Sequence, residues 1–170
     1  MTTFRTGPQT DRLRHRAFTP DDAESVYAFN SIPEVMRYTG EPLWPDVEET
    51  RRRINAYPDF DRYGYGRWGI IHKADQRIIG FSGFKWIEEF QAPDLGYRLL
   101  PEYWGQGSAT ESGRACIDFG FEHMDFERIV ATVMPGNGAS VRGLAKLGFQ
   151  EIGRGIVDGE EDIIFSLDRP

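Results

Sequence analysis

The chain has 170 residues, a length typical of one domain with a substantial buried core. Its formal net charge of −7 disfavours non-specific nucleic-acid binding, and no apolar run is long enough to span a membrane. The only cysteine, Cys116, rules out an internal disulfide and favours a reducing compartment, so we expect a cytoplasmic protein. Residues 1–5 lack the apolar stretch of a signal peptide.

Helical and strand patterns alternate along the chain. We expect residues 1–10 to be a flexible lead-in and residues 11–170 to form a single domain. In chain order we predict a strand at 11–18, a helix at 19–30, a short helix at 33–37, a helix at 47–56, strands at 67–72, 77–87 and 95–100, a helix at 109–124, a strand at 128–134, a helix at 137–148 and strands at 149–154 and 162–167. Small residues on one face of the 109–124 helix predict close packing against a sheet. The order of elements indicates a mixed α/β fold.

A glycine-rich turn joins the strand that ends at Leu100 to the helix at 109–124. Gly105 and Gly107 allow a tight turn and a close approach of the backbone to a ligand. The first N–H groups of a helix have no partner inside the helix and carry the positive end of its dipole. A strand, such a turn and a helix start together are typical of a phosphate cradle. A tight turn that binds nothing remains the alternative.

A second group of residues surrounds the next predicted helix. Asn137 is suited to cap its first turn, Ser140 lies in that turn, and Gly148 ends the helix. Taken alone, these three residues indicate only a well-bounded helix.

Together the two stretches resemble the GNAT superfamily of N-acetyltransferases, in its branch of ribosomal-protein N-terminal acetyltransferases. The resemblance covers about residues 11–168, and its parts come in the family's order. They are Arg12-Leu13-Arg14 with Phe18 to Ala23, Pro33 to Tyr38, Ile79-Gly80-Phe81, Leu95 to Leu99 with Trp104 to Glu111, and Asn137 and Ser140 with Leu147-Gly148-Phe149. Trp104 stands where the family's loop often begins with Gln or Arg.

The resemblance implies a central, mostly antiparallel twisted sheet that splays open at the cofactor slot. It implies acetyl-CoA as donor and a primary amine as acceptor, either a protein N-terminus or a small amine. The family pattern places the pyrophosphate on backbone N–H groups of the loop, and the pantetheine beside the preceding strand and near an asparagine. The corresponding residues here are Gln106, Gly107, Ser108, Ala109 and Thr110 for the pyrophosphate, and Leu99, Leu100 and Asn137 for the pantetheine.

The catalytic residues are less well defined by the resemblance. Many family members carry a tyrosine seven residues after the asparagine, proposed to protonate the leaving thiolate, but position 144 is Leu144 here. Ser140 is the substitute candidate for this general acid, with Asn137 as a second catalytic candidate. Carboxylates that could face the acceptor are Glu88, Glu89 and Asp94, none of which we assign as base, and the aromatic candidates for an acceptor cleft are Tyr38, Trp44 and Trp86.

Two other functions fit parts of the sequence. The chain could bind acyl-CoA without turnover, since a phosphate loop does not distinguish binding from catalysis. It could bind a dinucleotide, but Thr110 stands where that fingerprint has glycine or alanine. His15, His72 and His123 show no ligand spacing, so we expect no metal. The oligomeric state stays open, with a homodimer as one option.

Overall fold

Eight strands form one open sheet in the computed structural model, which describes residues 2–170. The strands are β1 (Thr6–Gln9), β2 (Leu13–Arg16), β3 (Arg67–His72), β4 (Arg77–Ile87), β5 (Ala92–Leu99), β6 (Arg128–Val133), β7 (Gln150–Val157) and β8 (Glu160–Asp168). The helices are α1 (Ala23–Asn30), α2 (Pro33–Met36), α3 (Val47–Ala56), α4 (Asp59–Tyr63), α5 (Ser108–His123) and α6 (Gly138–Lys146). The strand order is β1-β2-β3-β4-β5-β6-β8-β7, and only β5 and β6 are parallel neighbours. The predicted mixed α/β fold with a mostly antiparallel sheet is confirmed.

Helices cover both faces of the sheet. On one face α5 approaches closely, because a Cβ on Gly120 would stand 3.2 Å from the ring of Phe84 of β4. This confirms the close packing that the small residues of α5 predicted. On the other face α1 places Phe29 against Phe81 of β4, with ring centroids 6.2 Å apart.

The prediction of a loose lead-in over residues 1–10 is wrong for residues 6–9, which form the edge strand β1. Residue 1 lies outside the described part of the chain. Gly7 and Pro8 hide the strand pattern, yet both suit this position. A Cβ on Gly7 would stand 2.8 Å from the ring of Trp68, and an edge strand tolerates a proline that lacks an N–H donor. The first strand predicted at 11–18 shortens to β2.

Three short elements were missed. One is α4, which begins directly after Pro58 and ends at Gly64, which has a φ of +81°. The second is a 3₁₀ turn over Glu88–Phe90. A 3₁₀ turn over Pro101–Tyr103 separates β5 from the glycine-rich loop. Within residues 2–170, no helix is both long and apolar enough to cross a membrane.

A buried histidine joins β1 and β2 to α5. His15 is fully buried, with Nδ1 2.8 Å from the carbonyl oxygen of Pro8 and Nε2 2.7 Å from the Ser112 hydroxyl. A carbonyl only accepts, so Nδ1 carries the proton and Nε2 accepts from Ser112. Burial lowers the pKa of His15, against the opposing effects of Pro8 and Glu111. The ring is therefore a neutral structural group.

We expect this histidine to make the protein less stable in mild acid. Histidine in the unfolded chain has a pKa of about 6.5, so below that pH the unfolded chain binds a proton that the folded protein, with its lower His15 pKa, does not bind. The free energy of unfolding therefore falls as pH falls, by up to about 1.4 kcal/mol per pH unit. Urea unfolding at pH 7.5 and 5.5 should show a larger loss for the wild type than for His15→Asn, which cannot titrate. Parallel losses in the two proteins would contradict this assignment.

Candidate functional site

Unsatisfied backbone donors cluster at the start of α5. Gly105 and Gly107 have φ values of +73° and +80°, a left-handed conformation that favours glycine. Among the described residues 2–170, no acceptor is found for the backbone N–H groups from Gly105 to Thr110. The Ser108 hydroxyl beside them is also buried without a partner in that part of the chain. The loop therefore presents a run of donors at the positive end of a helix.

Side chains from neighbouring elements hold this loop in place. Arg12 donates from Nη1 to the carbonyl oxygen of Gln106 at 2.9 Å and from Nε to Glu111 at 3.1 Å. Thr10 donates to the other oxygen of Glu111 at 2.9 Å. The carbonyl of Gln106 thus points towards Arg12, and the backbone conformation of the loop is fixed without a ligand.

Trp104 departs from the family pattern but has a defined contact here. Its ring is 48% exposed, and its indole Nε1 donates to the carbonyl oxygen of Leu99 at 2.9 Å. The side chain therefore ties the start of the loop to the end of β5 through its N–H group.

The sheet divides between β5 and β6. Strands β4 and β5 stay paired from Gly80 with Leu99 to Ile87 with Ala92, whereas β5 and β6 share one registered pair, Asp94 with Val130. Beyond this pair the strands separate, as the resemblance implied. A slot opens between residues 95–99 of β5 and residues 131–133 of β6.

A buried carboxylate stands at this division. Asp94 is 5% exposed, and its Oδ1 accepts a hydrogen bond from the backbone N–H of Thr132 at 3.0 Å. Its Oδ2 lies 3.6 Å from the Arg67 guanidinium. Burial raises the pKa of Asp94 to about 6, although Arg67 and the Thr132 N–H oppose the shift. The Asp94 side chain thus provides an acceptor for the Thr132 N–H, which has no backbone partner on β5. The other two carboxylates, Glu88 and Glu89, are exposed.

Leu99 and Leu100, both predicted to lie beside the pantetheine, differ in their backbone hydrogen bonds. Leu100 donates its N–H to the carbonyl of Ile79 at 2.7 Å and accepts from the N–H of Tyr103 at 3.0 Å. Its backbone is therefore already bonded, and Leu100 has no free N–H group to offer a pantetheine beside the strand. Because adjacent residues of a strand direct their N–H groups to opposite sides, the N–H of Leu99 faces the slot.

Asn137 and Ser140 lie together on the far side of the slot. Asn137 Oδ1 accepts from the Ser140 N–H at 3.3 Å, and its Nδ2 donates to the Ser140 hydroxyl at 3.0 Å. Asn137 is thus the N-cap of α6, as the helix interpretation predicted.

Tyr97 is a residue of this site that the sequence did not reveal. Its phenol oxygen lies 3.0 Å from where a Cβ on Gly143 would stand, so the glycine permits the approach of β5 to α6. Burial raises the pKa of Tyr97, and the nearby Ser140 hydroxyl acts in the opposite direction. Leu144, at the family's tyrosine position, is instead a core residue, 2% exposed. The sequence signal that could have drawn attention to Tyr97 was its place in the alternation Leu95, Tyr97, Leu99 along β5.

The remaining candidates fall outside the slot or take structural roles. Cys116 is fully buried, and burial raises the pKa of its thiol to about 12, so it is no nucleophile at neutral pH. Of the three aromatic candidates, Tyr38 contacts the loop after β6, 3.7 Å from where a Cβ on Gly136 would stand. Trp86 binds Glu88, and Trp44 stacks with Arg53. Residues 2–170 contain no cluster of metal-ligating side chains.

Comparison with known proteins identifies the family. The acetyltransferase (GNAT) domain family matches residues 12–150. "Uncharacterized N-acetyltransferase YoaA" of Bacillus subtilis is 35% identical over 147 residues, covering 85% of this chain and 83% of that protein. "[Ribosomal protein uS5]-alanine N-acetyltransferase" of Escherichia coli is 28% identical over 180 residues, covering 95% and 90%.

A solved structure shares the fold. Spermidine N-acetyltransferase from Vibrio cholerae, in complex with CoA and spermine, aligns with a TM-score of 0.77 at 20% identity, covering 94% of this chain and 96% of that one. The likeness to this structure shows a shared fold. This chain belongs to the GNAT family of N-acetyltransferases.

Proposed function

We propose that the protein transfers the acetyl group of acetyl-CoA to a primary amine, a protein N-terminus or a small amine, by direct attack on the thioester. The observation that carries this proposal is the run of unbonded N–H groups at 105–110 beside the open edge of β5. Both features suit one extended ligand with a diphosphate at one end. The relatives named above acetylate, by their names, a ribosomal protein alanine and spermidine.

The donor is proposed to lie along the slot. The N–H groups of Gln106, Gly107, Ser108, Ala109 and Thr110 would bind the diphosphate. The pantetheine amides would pair with Leu99 and its neighbours as an added strand does. Asn137 would contact the pantetheine arm only by giving up part of its bonding to Ser140, so its main expected role is to position that serine.

The leaving thiolate needs a proton, and Tyr97 is the better source. A phenol, with a reference pKa of about 10, is a stronger acid than a serine hydroxyl. Ser140, the candidate from sequence, would then hold the phenol in position. A thiol with a pKa of about 8.5 leaves readily near neutrality, so a weak acid suffices.

The pKa of the acceptor amine determines how much base catalysis the reaction needs. Deprotonating a lysine-like amine of pKa about 10.4 at pH 7 costs roughly 4.6 kcal/mol, whereas an α-amino group of pKa about 7.7–8.0 costs roughly 1–1.4 kcal/mol. A protein N-terminus therefore needs little base catalysis, and an aliphatic amine needs a carboxylate or similar group.

A panel of amine acceptors with acetyl-CoA tests this function, with release of free CoA thiol and mass analysis of the acceptor as readouts. Peptides with free N-termini, diamines and monoamines should be compared in single-turnover conditions. Acetylation of at least one amine class supports the proposal. Tight acetyl-CoA binding without transfer to any amine would instead favour a non-catalytic acyl-CoA module.

We expect Tyr97→Phe to lower kcat by roughly 100-fold, the lower range for a general acid, with little change in the KM for acetyl-CoA. The matched control is Tyr27→Phe, which removes a phenol that contacts only the Pro45 carbonyl, at 3.5 Å. A purely structural Tyr97 would instead give a lower melting temperature and a higher KM with kcat retained.

A further inference from the structure

We propose that Asp162 receives the acceptor amine and takes its proton, and that the acidic turn beside it selects acceptors with a second positive charge. This inference rests on the proposed acetyl transfer to an amine and adds the acceptor class. The chemistry indicated is that of a diamine or polyamine.

Asp162 is a buried carboxylate with an unused acceptor. The residue is 8% exposed, and its Oδ1 is shielded from solvent with no hydrogen-bond partner among the described residues 2–170. Buried polar atoms are nearly always bonded, because leaving one unpaired is costly. An ammonium group would supply the missing donor and the missing charge together.

The position of Asp162 places it at the mouth of the slot. Ile163 of β8 pairs with Val133, the last residue of β6, so Asp162 lies one step further, where the chain turns towards Asn137. Burial raises the pKa of Asp162, and the nearby Thr132 hydroxyl opposes this shift. The same hydroxyl lies 3.4 Å from Asp94 Oδ1, so Asp162 and Asp94 share one face of the sheet.

Tyr97 lies on the opposite face. Successive side chains of a strand alternate, so Asp94 and Tyr97 of β5 point to different sides. Leu95, on the side of Tyr97, packs with Cys116 of α5. An amine bound at Asp162 would therefore approach a thioester in the slot from one face, while the phenol reaches the sulfur from the other.

The surroundings of Asp162 carry excess negative charge. Glu160 and Asp158 in the adjoining turn both raise the pKa of Asp162 by repulsion, after the larger effect of burial. Lys85 of β4 reaches Asp158 at 3.6 Å, but no ion pair involves Glu160 within the described part of the chain. Opposite the turn, a Cβ on Gly40 would stand 3.9 Å from Glu160 Cγ. An acceptor bound at Asp162 would meet two carboxylates that have no ion-pair partner among residues 2–170, Asp162 and Glu160.

The proposed step balances as follows. The ammonium form of the acceptor gives one proton to Asp162, and the neutral nitrogen attacks the carbonyl carbon of the thioester. The C–N bond forms, the C–S bond breaks, the nitrogen releases its second proton to solvent, and the thiolate takes a proton from Tyr97. Solvent then removes the proton from Asp162 and returns one to Tyr97, so the products are an acetamide, CoA thiol and one released proton.

Kinetics of the wild-type protein with two amines test whether a second positive charge on the acceptor raises the rate. We expect kcat/KM to be about tenfold higher for 1,4-diaminobutane than for butylamine, at equal acetyl-CoA, since two carboxylates face the acceptor. Equal values for the two amines, or a preference for an uncharged N-terminal peptide, would overturn the proposed acceptor class.

Variants test the residue itself. Asp162→Asn should lower kcat/KM for the diamine by roughly 100-fold, and Glu160→Gln by about threefold for the diamine alone. The control Glu161→Gln removes a neighbouring exposed carboxylate that pairs with Arg154 at 3.9 Å, and should change nothing.

The outcomes separate this inference from the proposed function. Wild-type turnover of amines with unchanged rates in Asp162→Asn would overturn the role of Asp162 and leave acetyl transfer standing. Absence of turnover with every amine, despite acetyl-CoA binding, would overturn both. The acetyl-CoA affinity and melting temperature of Asp162→Asn show whether that variant is folded. If it does not fold, the Glu160→Gln result and the wild-type preference between diamine and monoamine test the proposed acceptor class.

Discussion

Gly107→Asp is expected to abolish acetyl-CoA binding while leaving the fold intact. A carboxylate at this position would stand among the N–H groups proposed to bind the diphosphate. The new carboxylate would repel the negative charges of the diphosphate. At about 5 Å and an effective dielectric constant near 20, repulsion between two unit charges is worth about 3 kcal/mol, or roughly 100-fold in affinity. Space for the side chain exists, because the nearest atom to the new Cβ is Arg12 Nη2 at 3.6 Å. Calorimetric titration with acetyl-CoA measures the effect.

The matched control is Gly107→Asn. Asparagine has nearly the same shape as aspartate and tolerates the left-handed backbone that Gly107 adopts at a φ of +80°, but it carries no charge. We expect it to weaken binding far less than aspartate does. Equal affinities for wild type and Gly107→Asp would mean that the diphosphate does not bind at this loop. Equal losses in both variants would point to backbone strain rather than repulsion.

Asp94→Ala is expected to have the largest effect on stability among the substitutions considered. It removes the acceptor for the Thr132 N–H and the nearest carboxylate to Arg67, whose Nε is already buried without a partner among residues 2–170. Losing one partner of a buried bonded pair costs about 1–3 kcal/mol, and we expect about 3 kcal/mol here. Urea denaturation at pH 7.5 gives this value directly.

Asp94→Asn separates the hydrogen bond from the charge. Its side-chain oxygen can still accept from Thr132, so we expect a much smaller loss of stability. The pH dependence has a definite sign. Because the folded pKa of about 6 lies above the unfolded value of about 3.9, the folded state binds the extra proton between these values. The stability that Asp94 contributes relative to asparagine therefore decreases as pH rises from 4 to 6. A similar small loss in both variants would show that Asp94 does not hold the division of the sheet.

The sequence predicted the glycine-rich turn between β5 and α5 because its signals are local. Two glycines, the end of a strand and a helix start lie within ten residues, and the structure has them in that arrangement. The cap of α6 by Asn137 is local in the same sense. The resemblance added an expected role for each segment, which spacing alone left open.

The residues that were missed depend on contacts between distant segments. Arg12 holds the loop at Gln106 across the sheet, and nothing near Arg12 in the sequence indicates this partner. Tyr97 reaches Ser140 from β5, so a search for a tyrosine on α6 could not find it. Asp162 reads as an ordinary strand residue until its missing hydrogen bond is seen. Gly7 and Pro8 concealed β1 because propensity argues against them except at an edge.

A structure of the protein with bound CoA would locate the diphosphate and the pantetheine. We predict diphosphate oxygens within hydrogen-bond distance of the backbone N–H groups of residues 106–110, and the pantetheine between β5 and β6 with its thiol between Tyr97 and the mouth at Asp162. A diphosphate bound at any other part of the protein, with these N–H groups left to solvent, would contradict the account.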